Sequence, residues 1–349
     1  MSVISVKGTK IEAVAACVPE NVINNREFAK IHFEEDMSPL IDTLGIETRH
    51  VCAHPETTAL DMCVAAAETI FGSGKVNKAD ICAIVFVTQT PDYLVPNNAS
   101  GAHSRLGLDG SVLTFDINHA CAGFVYGLYV SSLISGNTKK KVLLLVGDTN
   151  SRYAAPKDRG TSLLFGDAGT ATIISNTDNQ DEWYFNFNTE GEHSDKVRLD
   201  MGYKHPLTVD SLEYKEAENG NIRRQIDMFM DGAYVFDYAL KTIPSLITEI
   251  MDEVESESDE YDRVLAHQSN AFLLRKIARK AGIPKEKVEF IISEYGNCSS
   301  SCIPLILSHH QIEDDERLLL YAMGGGLSAG VADITKRDLL NFGIITKDF

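Results

Sequence analysis

The chain is expected to fold as an α/β protein made of two duplicated halves. Apolar segments of strand length alternate with segments of helical periodicity. These segments recur in the same order in each half. Two landmarks also repeat at one offset, because Cys121 and Cys298, like Gly147 and Gly324, stand 177 positions apart (298 − 121 and 324 − 147). Strands that are apolar along their length point to mainly parallel sheets covered by helices on both faces.

The elements pair in order. A helix over Thr57–Phe71 leads to a strand at Ile84–Thr90, and its counterpart over Tyr234–Glu253 leads to Arg263–Ser269. A strand ending in a turn follows in each half, at Thr114–Cys121 and at Phe290–Cys298. The third pair is Val142–Asp148 and Leu318–Gly324. The halves are therefore placed at 1–177, carrying Cys121, and 178–349, carrying His267 and Asn297. The joining stretch from Asn176 to Asp231 is polar and less periodic, and is expected to supply strands and cap loops around a substrate entrance.

Composition narrows the function. The chain has 349 residues, 44% hydrophobic and 23% charged, as in a globular protein with a full core. No apolar run reaches the roughly 18 to 20 residues of a membrane span, and the start lacks a signal-peptide pattern, so a cytoplasmic location without membrane contact is expected. The net charge of −18 argues against nucleic acid as a partner. Seven scattered cysteines without a C-x-x-C pair predict neither a disulfide framework nor a zinc site. One stretch runs against the acidic balance. Arg275, Lys276, Arg279 and Lys280 recur at i and i+4, on one side of a predicted helix, where they form either a solvated face or a receptor for an acidic carrier.

Cys121 is the leading nucleophile candidate. It lies where an apolar strand gives way to a helical pattern beginning at Gly123. The free N–H groups and positive end of a helix start favour a thiolate, so a lowered thiol pKa is expected there. Three second-half features occupy comparable places. His267 follows a strand, Asn297 sits in a turn equivalent to that of Cys121, and Gly324, Gly325 and Gly326 let backbone amides approach a ligand. Taken singly, each is an ordinary structural feature: a buried thiol, a satisfied histidine, a turn.

Together, Ala120-Cys121-Ala-Gly-Phe, His267-Gln-Ser-Asn270, Tyr295-Gly-Asn297 and Gly324-Gly-Gly326 resemble the active-site motifs of the β-ketoacyl-acyl-carrier-protein synthase III family of the thiolase superfamily. Gly45-Ile-Glu-Thr-Arg-His50, Thr90-Pro-Asp-Tyr-Leu-Val-Pro96, Asp158-Arg-Gly-Thr161 and Phe165-Gly-Asp167 extend the likeness over nearly the whole chain. The resemblance implies a thiolase-like five-layered α-β-α-β-α fold and a homodimer. It implies that Cys121 takes an acyl group from a thioester, with its own N–H and that of Gly325 as the oxyanion hole. Gly324 and Gly326 would flank the substrate. His267 Nε2, as the neutral tautomer, and Asn297 Nδ2 would donate to the thioester oxygen of a malonyl group as it loses CO₂. The substrates implied are acyl-CoA or acyl-carrier protein and malonyl-carrier protein, with no metal and no bound cofactor.

The departures are informative. Pro39 and Thr43 stand where the family commonly stacks the CoA adenine between Trp and Arg, while the CoA-contacting Arg159 is kept. Acyl delivery by carrier protein is the alternative. The basic helix matches the family's carrier-docking surface, with Phe272 where an Arg often stands. Val95 matches the position that reaches into the partner subunit and bounds the acyl pocket; it is smaller than the usual Phe, which points to a longer or branched chain. Two competing readings are acyl transfer to a hydroxyl or amine, and a non-catalytic subunit of a condensing hetero-complex. Fatty-acid initiation is the family's commonest role, and the altered clamp leaves a specialised pathway equally open.

Overall fold

The computed structural model describes residues 3–178, 181–217 and 220–349. Eleven strands build two large sheets: β1 (Ile4–Lys7), β2 (Thr9–Pro19), β3 (Ile81–Val87), β4 (Leu113–Ile117), β5 (Lys141–Asp148), β6 (Ala168–Asn176), β7 (Glu182–Thr189), β8 (Arg263–Ala266), β9 (Arg317–Gly324), β10 (Ser328–Thr335) and β11 (Leu340–Lys347). The helices that cover them are α1 (Ala59–Gly72), α2 (Asn98–Leu106), α3 (Gly123–Thr138), α4 (Gly232–Glu253), α5 (Ala271–Lys280) and α6 (Cys302–His309).

The first sheet has the order β11-β2-β6-β5-β3-β4 and the second β1-β7-β10-β9-β8. The run β2-β6-β5-β3 matches β7-β10-β9-β8, so the duplication read from the offsets is present as repeated topology. Helices α3 and α6 lie between the sheets and share one core with strands of both. Helices α1 and α2 cover the outer face of the first sheet, and α4 and α5 that of the second. This is the five-layered α-β-α-β-α arrangement. Helix α3 is apolar nearly all round, as a helix packed between two sheets must be. Among the described residues no helix is long and apolar enough to cross a membrane.

Two expectations are corrected. The sheets are mixed rather than mainly parallel: β3 runs parallel to β4 and β5, β2 to β11 and β8 to β9, but β6, β7 and β10 pair antiparallel with their neighbours. Helical crossovers supply the parallel pairs, and direct returns such as the glycine turn between β9 and β10 give the antiparallel ones. The strand expected at Phe290–Cys298 is not formed. A bridge between Val264 and Val288 precedes it, and the segment itself holds only the short helix Ile292–Tyr295 and one bridge from Asn297 to Phe165. The backbone there bonds to the 164–166 segment instead, with Asn297 N donating to Leu164 O and Gly166 N to Asn297 O. The edges of the sheets are exchanged between the chain ends, β1 joining the second sheet and β11 the first.

Helix α1 starts at a reciprocal cap, in which Thr58 N donates to Asp61 Oδ2 at 2.7 Å and Asp61 N donates back to Thr58 Oγ1. It then approaches β6 at Gly169, where an added Cβ would stand 2.5 Å from Met62 Cβ and 2.5 Å from Cys63 N. Gly169→Ala is therefore expected to destabilise the protein by about 1–3 kcal/mol, the usual cost of overpacking, read as a lower midpoint of thermal unfolding.

Candidate active site

The chain ends of four elements meet between the sheets. Cys121 follows β4 and precedes α3, His267 follows β8, Asn297 follows the Ile292–Tyr295 helix, and Gly324 closes β9. The close approach explains two glycines. A Cβ on Gly324 would lie 2.8 Å from Cys121 N, and one on Gly123 would lie 2.5 Å from Val87 Cγ1. Gly296 has φ +68°, the left-handed turn that swings Asn297 inward. The loop is then pinned by its serines, as Ser300 Oγ donates to Ala120 O at 2.8 Å and Ser301 Oγ to Val146 O at 3.0 Å.

Cys121, His267, Asn297, Gly324 and Gly325 all line one cavity of about 120 Å³. Ser299, not assigned a role from the sequence, touches the first three. Its hydroxyl is 3.6 Å from Cys121 Sγ, its carbonyl accepts from His267 Nδ1 at 3.2 Å, and its N–H donates to Asn297 Oδ1 at 2.9 Å. This last bond fixes the carboxamide, leaving Nδ2 as the end free to donate. Among the described residues neither the Cys121 nor the Gly325 amide donates to another residue.

Two electrostatic expectations change. Cys121 lies two residues ahead of the first helical residue, and burial pushes its thiol up to about 12, outweighing the hydrogen bond from Ser299 that favours the thiolate. The resting nucleophile is a thiol. His267 is held down to about 4 by burial, so its ring is neutral. Because Nδ1 faces a carbonyl, which only accepts, Nδ1 carries the hydrogen and Nε2 is bare. The neutral ring therefore does not donate at Nε2, contrary to the expectation from the motif; donation there requires the imidazolium.

The remaining candidates lie elsewhere. Arg159 is paired with Glu35 in a separate surface groove with Lys157. Val95 is 85% exposed, on a loop with Tyr93 and Leu94, and does not line the cavity of its own chain. Gly326, at φ +134°, lines an adjoining groove. Arg275, Lys276, Arg279 and Lys280 are exposed on α5, and among the described residues none of them is in an ion pair. The opposite end of that helix supplies Asn270 and Leu273 to the cavity. The polar joining stretch contributes Val197, Met228 and Met230 to its wall, with residues 179–180 and 218–219 outside the described part.

Comparison with known proteins identifies the family. Residues 115–191 match the family described as 3-oxoacyl-[acyl-carrier-protein (ACP)] synthase III, and residues 251–335 match its C-terminal region. The chain is 31% identical over 346 residues to a putative 3-oxoacyl-[acyl-carrier-protein] synthase 3 of Campylobacter jejuni, covering 97% of this chain and 98% of that protein. The chain belongs to the 3-oxoacyl-[acyl-carrier-protein] synthase III family. A β-ketoacyl-[acyl-carrier-protein] synthase III of Streptococcus gordonii is 30% identical over 339 residues, covering 94% of this chain and 99% of that one. The crystal structure of a Burkholderia xenovorans 3-oxoacyl-(acyl-carrier protein) synthase superposes with a TM-score of 0.91 at 30% identity, over 99% of each chain. As a synthase III family member the protein is a transferase of the condensing-enzyme class.

The neutral His267 has a stability consequence. Its folded pKa of about 4 lies below the usual 6.5, so the unfolded state binds the proton first as pH falls. The stability is complete above about pH 6.5 and declines by about 3 kcal/mol as pH drops towards 4. His267→Gln is expected to flatten that part of the stability–pH curve, measured by denaturant unfolding. A second prediction concerns Gly166, where an added Cβ would lie 2.1 Å from Tyr295 O. Gly166→Ala is expected to displace Asn297 and to depress condensation more than acylation of Cys121, followed by separate assays of the two steps.

Proposed function

We propose that the protein catalyses the decarboxylative Claisen condensation of a Cys121-bound acyl group with a malonyl thioester carried by acyl-carrier protein. The observation that carries this reading is the convergence of Cys121, His267 and a carboxamide-fixed Asn297 on one small cavity. Cys121 Sγ attacks the acyl thioester, and the oxyanion meets the amides of Cys121 and Gly325. Such donors are worth about 2.7 to 4 kcal/mol each in other enzymes. The malonyl thioester then enters with its carbonyl oxygen towards Asn297 Nδ2 and His267 Nε2. Loss of CO₂ leaves an enolate on that oxygen. The growing negative charge raises the proton affinity of His267, which takes up the proton that the overall reaction consumes and donates from Nε2. The enolate carbon attacks the acyl carbon, the bond to sulfur breaks, and the proton on His267 returns to Cys121.

Carrier protein is favoured over CoA as the acyl donor. Pro39 and Thr43 are exposed and offer no stacking clamp, and Arg159 is already neutralised by Glu35 beside Glu34 and Asp36. Glu34, Glu35 and Asp36 offset Lys157 and Arg159 there, which leaves little net attraction for a polyphosphate. The unpaired basic face of α5 and the exposed Phe272 suit an acidic carrier, with the same helix reaching the cavity at its other end. Acyl transfer to a hydroxyl or amine has no use for the fixed Asn297 amide, and a non-catalytic subunit has no use for the full set.

Asn297→Ala is expected to lower condensation about 10²–10³-fold while leaving acylation of Cys121 detectable by intact-protein mass spectrometry. Unchanged condensation in that variant would remove the enolate role. Charge reversal at Arg279 and Lys280 is expected to raise KM for carrier-borne substrates about tenfold and to leave small thioester mimics nearly unaffected. Equal losses with both substrate types would remove the docking assignment.

A further inference from the structure

A chain of polar groups leads from Cys121 into the core. The Ser299 hydroxyl is 3.6 Å from Cys121 Sγ and accepts from Gln89 Nε2 at 2.8 Å. A hydroxyl has two acceptor positions and one hydrogen. With Gln89 at one position and the thiol S–H at the other, the hydrogen of Ser299 is left for a third partner. Asp148, fully buried at the end of β5, is joined to Ser299 through Gln89, which bonds the hydroxyl with its side chain and the carboxylate with its N–H. Its Oδ1 accepts from Gln89 N at 2.7 Å and from Thr88 Oγ1 at 3.2 Å. Its buried Oδ2 has no hydrogen-bond partner among the described residues, and the Ser299 side chain is one of the groups that favour its charge. Ser299 holds this place at φ +53°, a conformation that persists for a non-glycine residue only where the surroundings over-determine it.

We propose that Cys121 gives up its proton through Ser299 to Asp148 as it attacks the acyl donor, with Gln89 as the positioning residue that aims the Ser299 hydroxyl. This rests on the condensing reading and adds the base that its first half-reaction requires. The S–H bond breaks as the Ser299 oxygen takes that proton, and the Ser299 O–H bond breaks as its own hydrogen passes to the Asp148 carboxylate. The electron pair on sulfur forms the bond to the thioester carbon. When the tetrahedral adduct collapses, the departing thiolate takes a proton back along the same path, and Asp148 is again ionised. One negative charge occupies the buried site before and after the transfer, so no additional charge has to be created in a low dielectric.

The proton can leave only as sulfur bonds to the thioester carbon, because a resting thiol at about 12 does not ionise to a carboxylate at about 6. Burial pushes Asp148 up to about 6, which makes it a stronger base than His267 at about 4. The other titratable groups that interact with Asp148 are Tyr153 and the thiols of Cys63, Cys121, Cys298 and Cys302. Burial raises every one of them, so all are uncharged at neutral pH and none competes for the proton.

The test is the pre-steady-state rate of thiol release from an acyl-carrier protein, over about pH 5 to 9, before any malonyl thioester is added. The wild-type rate is expected to fall as a one-proton limb below about pH 6. Asp148→Asn and Ser299→Ala are each expected to slow acylation about a hundredfold at pH 7 and to abolish that limb, and the double variant to be no slower than the slower single one. A folded Asp148→Asn protein that acylates at the wild-type rate with the limb intact overturns the relay. Should Asp148→Asn not fold, the same result in Ser299→Ala overturns it. A wild-type protein that condenses normally but shows no limb near pH 6 also overturns the relay and spares the condensing reading. Absence of any acyl group on wild-type Cys121 overturns that reading itself.

Discussion

The site depends on the backbone and hydroxyl of one residue, Ser299, which bonds in three directions. Its N–H holds the Asn297 carboxamide, its carbonyl fixes the His267 tautomer, and its hydroxyl meets the Cys121 sulfur. Nucleophile, imidazole and amide come from three separate turns, so a common anchor sets their relative positions more tightly than their own elements do. The neighbouring serines extend that anchor to Ala120, Val146 and Ala168, on both sides of the Cys121 turn. A left-handed serine is costly, and this dense bonding is what maintains it.

Burial decides how this site handles charge. The same desolvation that lifts the thiol also lowers the imidazole and lifts the buried carboxylate. The free enzyme therefore rests with a thiol and a neutral ring rather than a thiolate–imidazolium pair. Cys121 and His267 become charged only when a substrate brings or develops charge beside them. Donors fixed in a dry cavity then act strongly on an oxyanion or enolate, because they need no reorganisation at that moment.

The surface is organised along helix α5. Its first turn borders the cavity through Asn270 and Leu273, while its basic residues face solvent on a chain of net charge −18.

The sequence by itself determined the repeating α/β pattern and the basic stripe, because periodicity and motif order are local properties. Only the tertiary structure decided the rest. The Phe290–Cys298 segment reads as a strand, yet its hydrogen bonds go to residues 164–166, a partnership invisible to local patterning. A helix start promised an acidic Cys121 thiol, but burial within the folded core dominates its ionisation. The tautomer of His267 and the bond from Gln89 to Ser299 join residues up to 210 positions apart. Such contacts are set by packing two sheets on shared central helices, and no local stretch of sequence encodes that packing.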